Sequence, residues 1–201
     1  MNFDVAARQI VDVGHWLAGC GWAPAGAGNY SVRLGDGSIA ITASGAHKGR
    51  IDTGDVMRID PFGHALDGKT PSAETLLHTL IYRLRPSVGA ILHTHSVAAT
   101  VLSRRLAGNV LRLQGYEVAK AFPGVDDHET VVVLPVLDND QDMAVLSLRV
   151  EASLAPDTPC YLIRGHGLYG WGRDMEEASR VVEASEFLLD CELEHLKLGD
   201  R

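Results

Sequence analysis

The chain has 201 residues, of which 46% are hydrophobic and 22% charged, and its formal net charge is −8. This composition predicts one globular domain over residues 1–201, and the excess of acidic residues disfavours nucleic acid and anionic membranes as partners. No apolar run reaches the ~20 residues of a membrane span, and the N-terminus lacks a signal-peptide pattern, so we expect a cytoplasmic protein.

Hydrophobic periodicity predicts alternating helices and strands along the first half of the chain. Apolar residues at spacings of three and four indicate helices, and period-two alternation on both sides of Gly35-Asp36-Gly37 indicates an antiparallel hairpin. The predicted elements are a helix at 3–20, strands at 30–34, 38–42 and 56–59, and a helix that has Ser72 as its N-cap and ends before Pro86.

The second half continues this alternation and ends in a long helix. Its predicted elements are an apolar strand at 88–95, a helix capped by Ser96, a strand at 130–135, a helix at about 140–153, a last strand at 160–164, and a helix capped by Asp174 with Glu177 completing a capping box. Helices on both sides of a mainly antiparallel sheet accommodate these elements, so the predicted fold class is α/β, with a three-layer αβα arrangement.

His93 and His95 end the apolar strand and are candidate metal ligands. Side chains two residues apart in an extended chain point the same way, so both imidazoles can face one ion. His166 follows the last predicted strand between two glycines, which permit close backbone approach, and it is the candidate third ligand. Three imidazoles leave zinc an open position for Lewis-acid catalysis, although iron, cobalt, nickel and manganese also accept such ligands.

Two glycine-rich loops and a helix start form a candidate phosphate site. Free backbone N–H groups, hydroxyls, the helix dipole and one lysine could together hold an anion, although each motif alone is also typical of a plain turn or cap. The candidate phosphate-binding residues are Gly28, Asn29, Ser44, Gly45, Lys48 and Ser72.

Two glutamates compete for the role of acid/base in removing a proton from carbon. Glu74 opens a helix, where a carboxylate also compensates the helix dipole. Glu117 lies three residues before Lys120, where an exposed ion pair worth ~0–1 kcal/mol is the alternative role. Residue patterns leave the choice between the two glutamates open.

Five motifs occur in the order seen in class II aldolases and adducin-like proteins, a family that the chain resembles over nearly its whole length. These motifs are Gly28-Asn29, Thr42-Ala43-Ser44-Gly45, Pro71-Ser72-x-Glu74, His93-x-His95 and Gly165-His166-Gly167. The resemblance implies a class II aldolase-like fold, zinc held by His93, His95 and His166, a homotetramer, and a site near a subunit boundary.

Within that superfamily the chain most resembles the family of methylthioribulose-1-phosphate dehydratases of methionine salvage. The resemblance rests on residues 42–49, 93–96, 134–142 and 164–172 and on Glu117. It implies a sugar-phosphate substrate, with Glu117 as the acid/base for loss of water. Glu74 matches the acid/base position of the sugar-phosphate aldolases, which leaves an aldolase or epimerase as the alternative. A non-catalytic adducin-like module is expected to lack the metal ligands, and this chain has all three.

Overall fold

The computed structural model describes residues 1–199, which form one eight-stranded sheet and five α-helices. The strands are β1 (Asn29–Arg33), β2 (Ile39–Thr42), β3 (Val56–Ile59), β4 (Ala90–Thr94), β5 (Val110–Leu113), β6 (Val132–Leu137), β7 (Cys160–Ile163) and β8 (Gly167–Gly172). The helices are α1 (Phe3–Gly19), α2 (Thr75–Leu84), α3 (Val97–Arg105), α4 (Met143–Ser153) and α5 (Met175–Leu198). Within this described part, no helix combines the length and the apolar character that crossing a membrane requires.

The strand order in the sheet is β3-β2-β1-β4-β8-β7-β6-β5. Each neighbouring pair is antiparallel apart from β6 and β7, so the predicted mainly antiparallel sheet is confirmed. β4, which carries His93 and ends one residue before His95, lies between β1 and β8. Hydrogen bonds to both neighbours make this central strand a rigid support for functional side chains.

Helices cover both faces of the sheet. α1, α3 and α5 share a buried apolar cluster with Ala90 and Leu92 of β4, whereas α2 and α4 pack with Ile91 in a second cluster. Successive side chains of a strand point to opposite faces, so β4 contributes to both cores. The predicted three-layer αβα arrangement is therefore confirmed.

Glycines allow unusually close packing around β8. A Cβ at Gly172 would lie 2.4 Å from the backbone nitrogen of Ala178 in α5, and one at Gly167 would lie 2.0 Å from the carbonyl oxygen of Thr94 in β4. Alanine has no room at either position, because protein interiors are close-packed. These contacts explain why a segment with three glycines forms a central strand despite its low intrinsic β-propensity.

Two of the three predicted N-caps are confirmed. Ser96 and Asp174 each accept a hydrogen bond from the backbone N–H three residues later. Ser72 is not the cap of α2, because the chain first makes a turn and the helix begins at Thr75. The Ser72 hydroxyl instead accepts a 3.3 Å hydrogen bond from the backbone nitrogen of Glu74.

Two strands were missing from the sequence prediction. β5 has four residues and pairs only with β6 at the edge of the sheet, so it presents little periodicity to detect. β8 was not recognised because glycine has a low β-propensity and this strand contains three glycines. The prediction of 160–164 as the last strand was therefore wrong. Because β8 pairs with both β4 and β7, it brings the turn that precedes it to the end of β4.

Candidate active site

β4 brings His93 to the centre of the sheet, in a fully buried position. The imidazole stacks on the ring of Tyr169 in β8, with the ring centroids 4.0 Å apart. Nδ1 of His93 donates a 2.9 Å hydrogen bond to the carbonyl oxygen of Leu168. This bond keeps the proton on Nδ1 and leaves the lone pair of Nε2 free for a metal ion.

His166, in the turn between β7 and β8, completes the predicted cluster. Its Nε2 lies 3.3 Å from Nε2 of His93, and one ring nitrogen from each of His93, His95 and His166 lies within 4.8 Å of the others. Two nitrogen ligands of a tetrahedral zinc ion lie about 3.4 Å apart, given Zn–N bonds of about 2.0–2.1 Å. The structure thus brings the three predicted ligands together at a spacing that fits a metal ion.

Burial lowers the pKa values of the two histidines of the His-x-His pair. The pKa of His93 falls well below its ordinary value, and that of His95 falls to about 4, because desolvation disfavours the imidazolium. The carboxylate of Glu74 opposes this effect, and His166 adds to it. Both rings are therefore neutral near pH 7, which is the form that binds a metal ion.

Glu74 lies directly beside the histidines. Its Oε1 is 2.9 Å from Nε2 of His166, and its Oε2 is 3.5 Å from Nε2 of His93. Burial by itself raises the pKa of Glu74, but His93, His166 and a 2.5 Å hydrogen bond from the Asn29 amide lower it overall. The ionised carboxylate can therefore balance the charge of a metal ion or accept a proton.

All six predicted phosphate-binding residues line one cavity of about 400 Å³, together with Glu74 and His95. Lys48 is buried there, and its ammonium donates to the carbonyl oxygens of Gly26 and Ala46 at 3.2 and 2.5 Å. One of its three N–H groups remains for an anion. Gly28 has a φ of +92°, and a Cβ there would lie 2.5 Å from the carbonyl oxygen of His93, so only glycine fits. We call this space the polar cavity; phosphate binding in it stays a prediction.

A second cavity, of about 540 Å³, meets the cluster from the side of α3. His95 and His166 form part of its wall, and Val97, Val101 and Pro24 give it an apolar lining. We call it the apolar cavity. His95 is common to both cavities, so an extended ligand with one anionic end and one apolar end could lie across the histidine cluster.

Glu117 lies elsewhere in its own chain, in a 3₁₀ helix at Glu117–Ala121. Its side chain is 71% exposed, and its carboxylate is 2.7 Å from the ammonium of Lys120 and 3.9 Å from Nδ1 of His128. Among the described residues it shares neither a hydrogen bond nor a cavity wall with the three histidines. The chain therefore brings Glu74 to the cluster and leaves Glu117 outside it.

Sequence reasoning missed Glu186, a fully buried glutamate of α5. Its Oε1 accepts a 2.6 Å hydrogen bond from the hydroxyl of Thr94, and the hydroxyl of Ser96 also faces the carboxyl. Thr94 and Ser96 flank His95, so Glu186 holds the turn that carries this ligand. The detectable signal was a glutamate within the apolar stripe of α5, four residues after Val182 and three before Leu189.

Glu186 makes the stability of the fold depend on pH. Burial raises its pKa to about 7, above the ordinary value of 4.5, while Ser96 and Thr94 oppose the shift and Asp190 adds to it. The folded protein thus binds a proton that the unfolded chain releases above pH 4.5, and stability falls as pH rises to about 7. Glu186→Gln lacks this titrating group. We therefore expect the unfolding free energy of the protein minus that of Glu186→Gln to fall by about 3 kcal/mol as the pH rises from 4.5 to 8.

Denaturant titrations of the two proteins at several pH values measure this difference. Glu183→Gln, which changes an exposed glutamate one turn earlier in α5, is the matched control. A difference between the protein and Glu186→Gln that stays constant across the pH range would contradict the prediction.

The same arrangement of sequence motifs occurs in a family of known proteins. A family model, described as the class II aldolase and adducin N-terminal domain, matches residues 8–193. The chain belongs to this family. The match spans all eight strands of the sheet, the three histidines of the cluster and both candidate cavities.

Curated relatives in this family carry a more specific name. Methylthioribulose-1-phosphate dehydratase of Pseudomonas paraeruginosa is 54% identical over 201 residues, which cover 98% of each chain. The protein of the same name from Marinobacter nauticus is 52% identical and covers 98% of this chain and 97% of its own. At this identity the resemblance that the motifs indicated is confirmed.

Solved structures of the family share the fold. L-fuculose-1-phosphate aldolase of Thermus thermophilus superposes with a TM-score of 0.77 and 29% identity, over 99% of this chain and 98% of its own. YgbL of Escherichia coli superposes with a TM-score of 0.82 and 26% identity, over 97% of this chain and 90% of its own. The class II aldolase-like fold is therefore confirmed.

Proposed function

We propose that the chain is a zinc-dependent lyase that converts 5-methylthioribulose 1-phosphate to 2,3-diketo-5-methylthiopentyl 1-phosphate and water, in methionine salvage. The observation that carries the proposal is the pair of cavities that meet at His95, one polar and one apolar. The substrate has a phosphate on C1 and a methylthio group on C5, so its two ends match the two cavities. The dehydratases at 52–54% identity support the same reaction.

His93, His95 and His166 would hold the zinc ion. Their donor set suits it, because the imidazoles of His93 and His95 are neutral and the Nε2 atoms of His93 and His166 lie 3.3 Å apart. A bound zinc ion supplies a Lewis acid that stabilises negative charge on the oxygens of C2 and C3.

The residues of the chain would orient the substrate and move one proton. Backbone N–H groups and Lys48 in the polar cavity bind the phosphate, which places C2 to C4 beside the histidine cluster. A carboxylate takes the proton from C3 and returns it to the hydroxyl on C4, which leaves as water. The resulting enol tautomerises to the C3 ketone, so the step loses one water and needs no oxidant or reductant.

We assign the proton transfer to Glu117 of a neighbouring subunit in a cytoplasmic homotetramer. In its own chain this carboxylate is exposed and contacts only Lys120 and His128 among the described residues, so it is available to another subunit. Its ion pair with Lys120 lowers its pKa, which favours the ionised form that a base requires. Symmetric homo-oligomers commonly repeat such contacts at each boundary.

A sugar-phosphate aldolase or epimerase is the second candidate, and one observation favours it. Glu74 already lies 2.9 Å from Nε2 of His166, so it could transfer a proton within the same chain. An aldolase would instead break the bond between C3 and C4, which turns the C4 hydroxyl into the aldehyde carbonyl of one product, leaves the C3 hydroxyl on the other and releases no water.

An assay with methylthioribulose 1-phosphate, with and without chelator, tests the proposal. We expect the diketone to form only in the chelator-free sample, and the analogue with a hydroxyl in place of the methylthio group to react about tenfold more slowly. Release of a triose or glycolaldehyde phosphate from fuculose or ribulose phosphates, with no diketone from the methylthio sugar, would favour the aldolase instead.

Lys48→Met should weaken binding of the phosphate without unfolding the protein. The substitution keeps most of the buried volume. It removes the charge-assisted hydrogen bond to the phosphate together with the bonds to Gly26 and Ala46, so we expect KM to rise about 10- to 100-fold. Lys69→Met is the control, because Lys69 donates to the carbonyl oxygen of Val56 and does not line the polar cavity. An unchanged KM, or competition by inorganic phosphate that is unaffected in Lys48→Met, would remove Lys48 from the phosphate site.

A further inference from the structure

A chain of buried hydrogen bonds leads from Glu74 into the core between the sheet and α2. The amide nitrogen of Asn29 donates to Glu74 at 2.5 Å, and the amide oxygen of Asn29 is 2.5 Å from Nε2 of His78. Nδ1 of His78 is 2.7 Å from the hydroxyl of Ser31, which is 2.9 Å from the hydroxyl of Tyr82. His78, Ser31 and Tyr82 take no part in the reaction as proposed above.

The placement of the Asn29 amide fixes the direction of the other bonds in this chain. Its nitrogen lies 2.5 Å from Oε2 of Glu74, and its oxygen lies 2.5 Å from Nε2 of His78. Nε2 of His78 must then carry the proton, and Nδ1 must accept from Ser31. The Ser31 oxygen is left to accept from the hydroxyl of Tyr82.

The reverse orientation of Asn29 is unfavourable. It would place the amide oxygen against a carboxylate oxygen at 2.5 Å, where two acceptors repel each other. His78 is fully buried, and burial lowers its pKa to about 4, so it stays neutral with one donor and one acceptor. A neutral histidine between Asn29 and Ser31 therefore has a single consistent tautomer.

We propose that His78 is a positioning residue: its Nε2–H fixes the amide of Asn29 so that the NH₂ group faces Glu74 and the polar cavity. Asn29 lines that cavity and lies opposite His93 in the pairing of β1 with β4. A wall of donors suits an anionic substrate, whereas the reverse orientation would present an acceptor. The expected effect on turnover rests on the proposed function, but the tautomer does not.

Two substitutions of His78 separate positioning from simple packing. A glutamine amide nitrogen can reach the place of Nε2 and keep the donor to Asn29, whereas asparagine reaches only the place of Nδ1. We expect His78→Gln to keep kcat/KM within about fivefold and His78→Asn to lose about 10- to 100-fold, at similar thermal stability. Thr79→Val is the control, because the Thr79 hydroxyl on the same helix donates only to the carbonyl oxygen of Leu76.

The ¹⁵N spectrum of histidine-labelled zinc-loaded protein supplies a test that needs no activity. We expect His78, assigned from the signal that His78→Gln removes, to be the neutral Nε2–H tautomer from pH 5.5 to pH 8. An Nδ1–H tautomer, or equal losses in His78→Gln and His78→Asn, would overturn the proposal. If the protein fails to dehydrate methylthioribulose 1-phosphate but shows this tautomer, the proposed function fails and the orientation of Asn29 stands.

Discussion

Replacing His166 with alanine should remove the bound metal ion and lower turnover by about a thousandfold or more. A Lewis acid at a developing negative charge contributes several kcal/mol, and each ~1.4 kcal/mol is a factor of ten in rate. His166 is the informative ligand, because it lies in a turn outside β4, so its loss leaves the central strand intact. His93, in contrast, stacks on Tyr169 in the core, and its removal would also disturb packing.

Metal content, measured by mass spectrometry after dialysis, and turnover are the two readouts. His64→Ala is the matched control, because this histidine is 78% exposed and pairs with Asp60 away from the cluster. We expect the control to keep one metal ion per chain and normal turnover. A His166→Ala protein that retains a full equivalent of tightly bound metal would remove His166 from the ligand set.

Replacing Glu117 with glutamine should abolish loss of water while the metal ion stays bound. Loss of a general acid/base lowers turnover by about 10²- to 10⁴-fold. The substitution changes an exposed side chain outside the core, so folding should be unaffected. Glu74→Gln is the comparison, and the assignment fails if that variant loses turnover while Glu117→Gln retains it.

A mixing experiment tests whether Glu117 acts across a subunit boundary. Glu117→Gln and His166→Ala should each be inactive alone, because every site lacks either the acid/base or a metal ligand. In mixed tetramers, about one quarter of the sites would combine an intact cluster with an intact Glu117 from a neighbour. Recovery of activity on co-assembly is the expected result, and its absence would show that Glu117 does not complete the site of another chain.

Residue patterns predicted most of the fold because local periodicity records which face of an element is buried. The β1–β2 hairpin, β3, the capped helices α3 and α5 and the αβα layering were predicted from spacing and capping residues. β8 could not be predicted in this way, because its glycines are required by the close packing of α5 and β4 against it. That packing depends on three segments that are distant in sequence. The predicted start of α2, with Ser72 as its N-cap, was also wrong, because a turn stabilised by Ser72 precedes the helix.

Some residues of the candidate site could likewise be predicted from the sequence, whereas others could be identified only from the structure. The identity of His93, His95 and the loop residues followed from the sequence, because side chains two apart on a strand must share a side and glycine loops must expose backbone N–H groups. The convergence of His166 on that pair was decided by the pairing of β8 with β4. The buried roles of Glu186 and His78 were likewise invisible, since a polar residue on an apolar helix face has meaning only through the partner that faces it.

The sequence by itself determined the ligand types, the family motifs and the periodicity that builds a layered α/β fold. Tertiary structure decided which glutamate of a chain lies beside the histidines of the same chain, and that residue is Glu74. The physical reason is distance along the chain: capping and periodicity act over a few residues, whereas Glu74, His93 and His166 meet only after β4 pairs with β8 and α2 packs on the sheet.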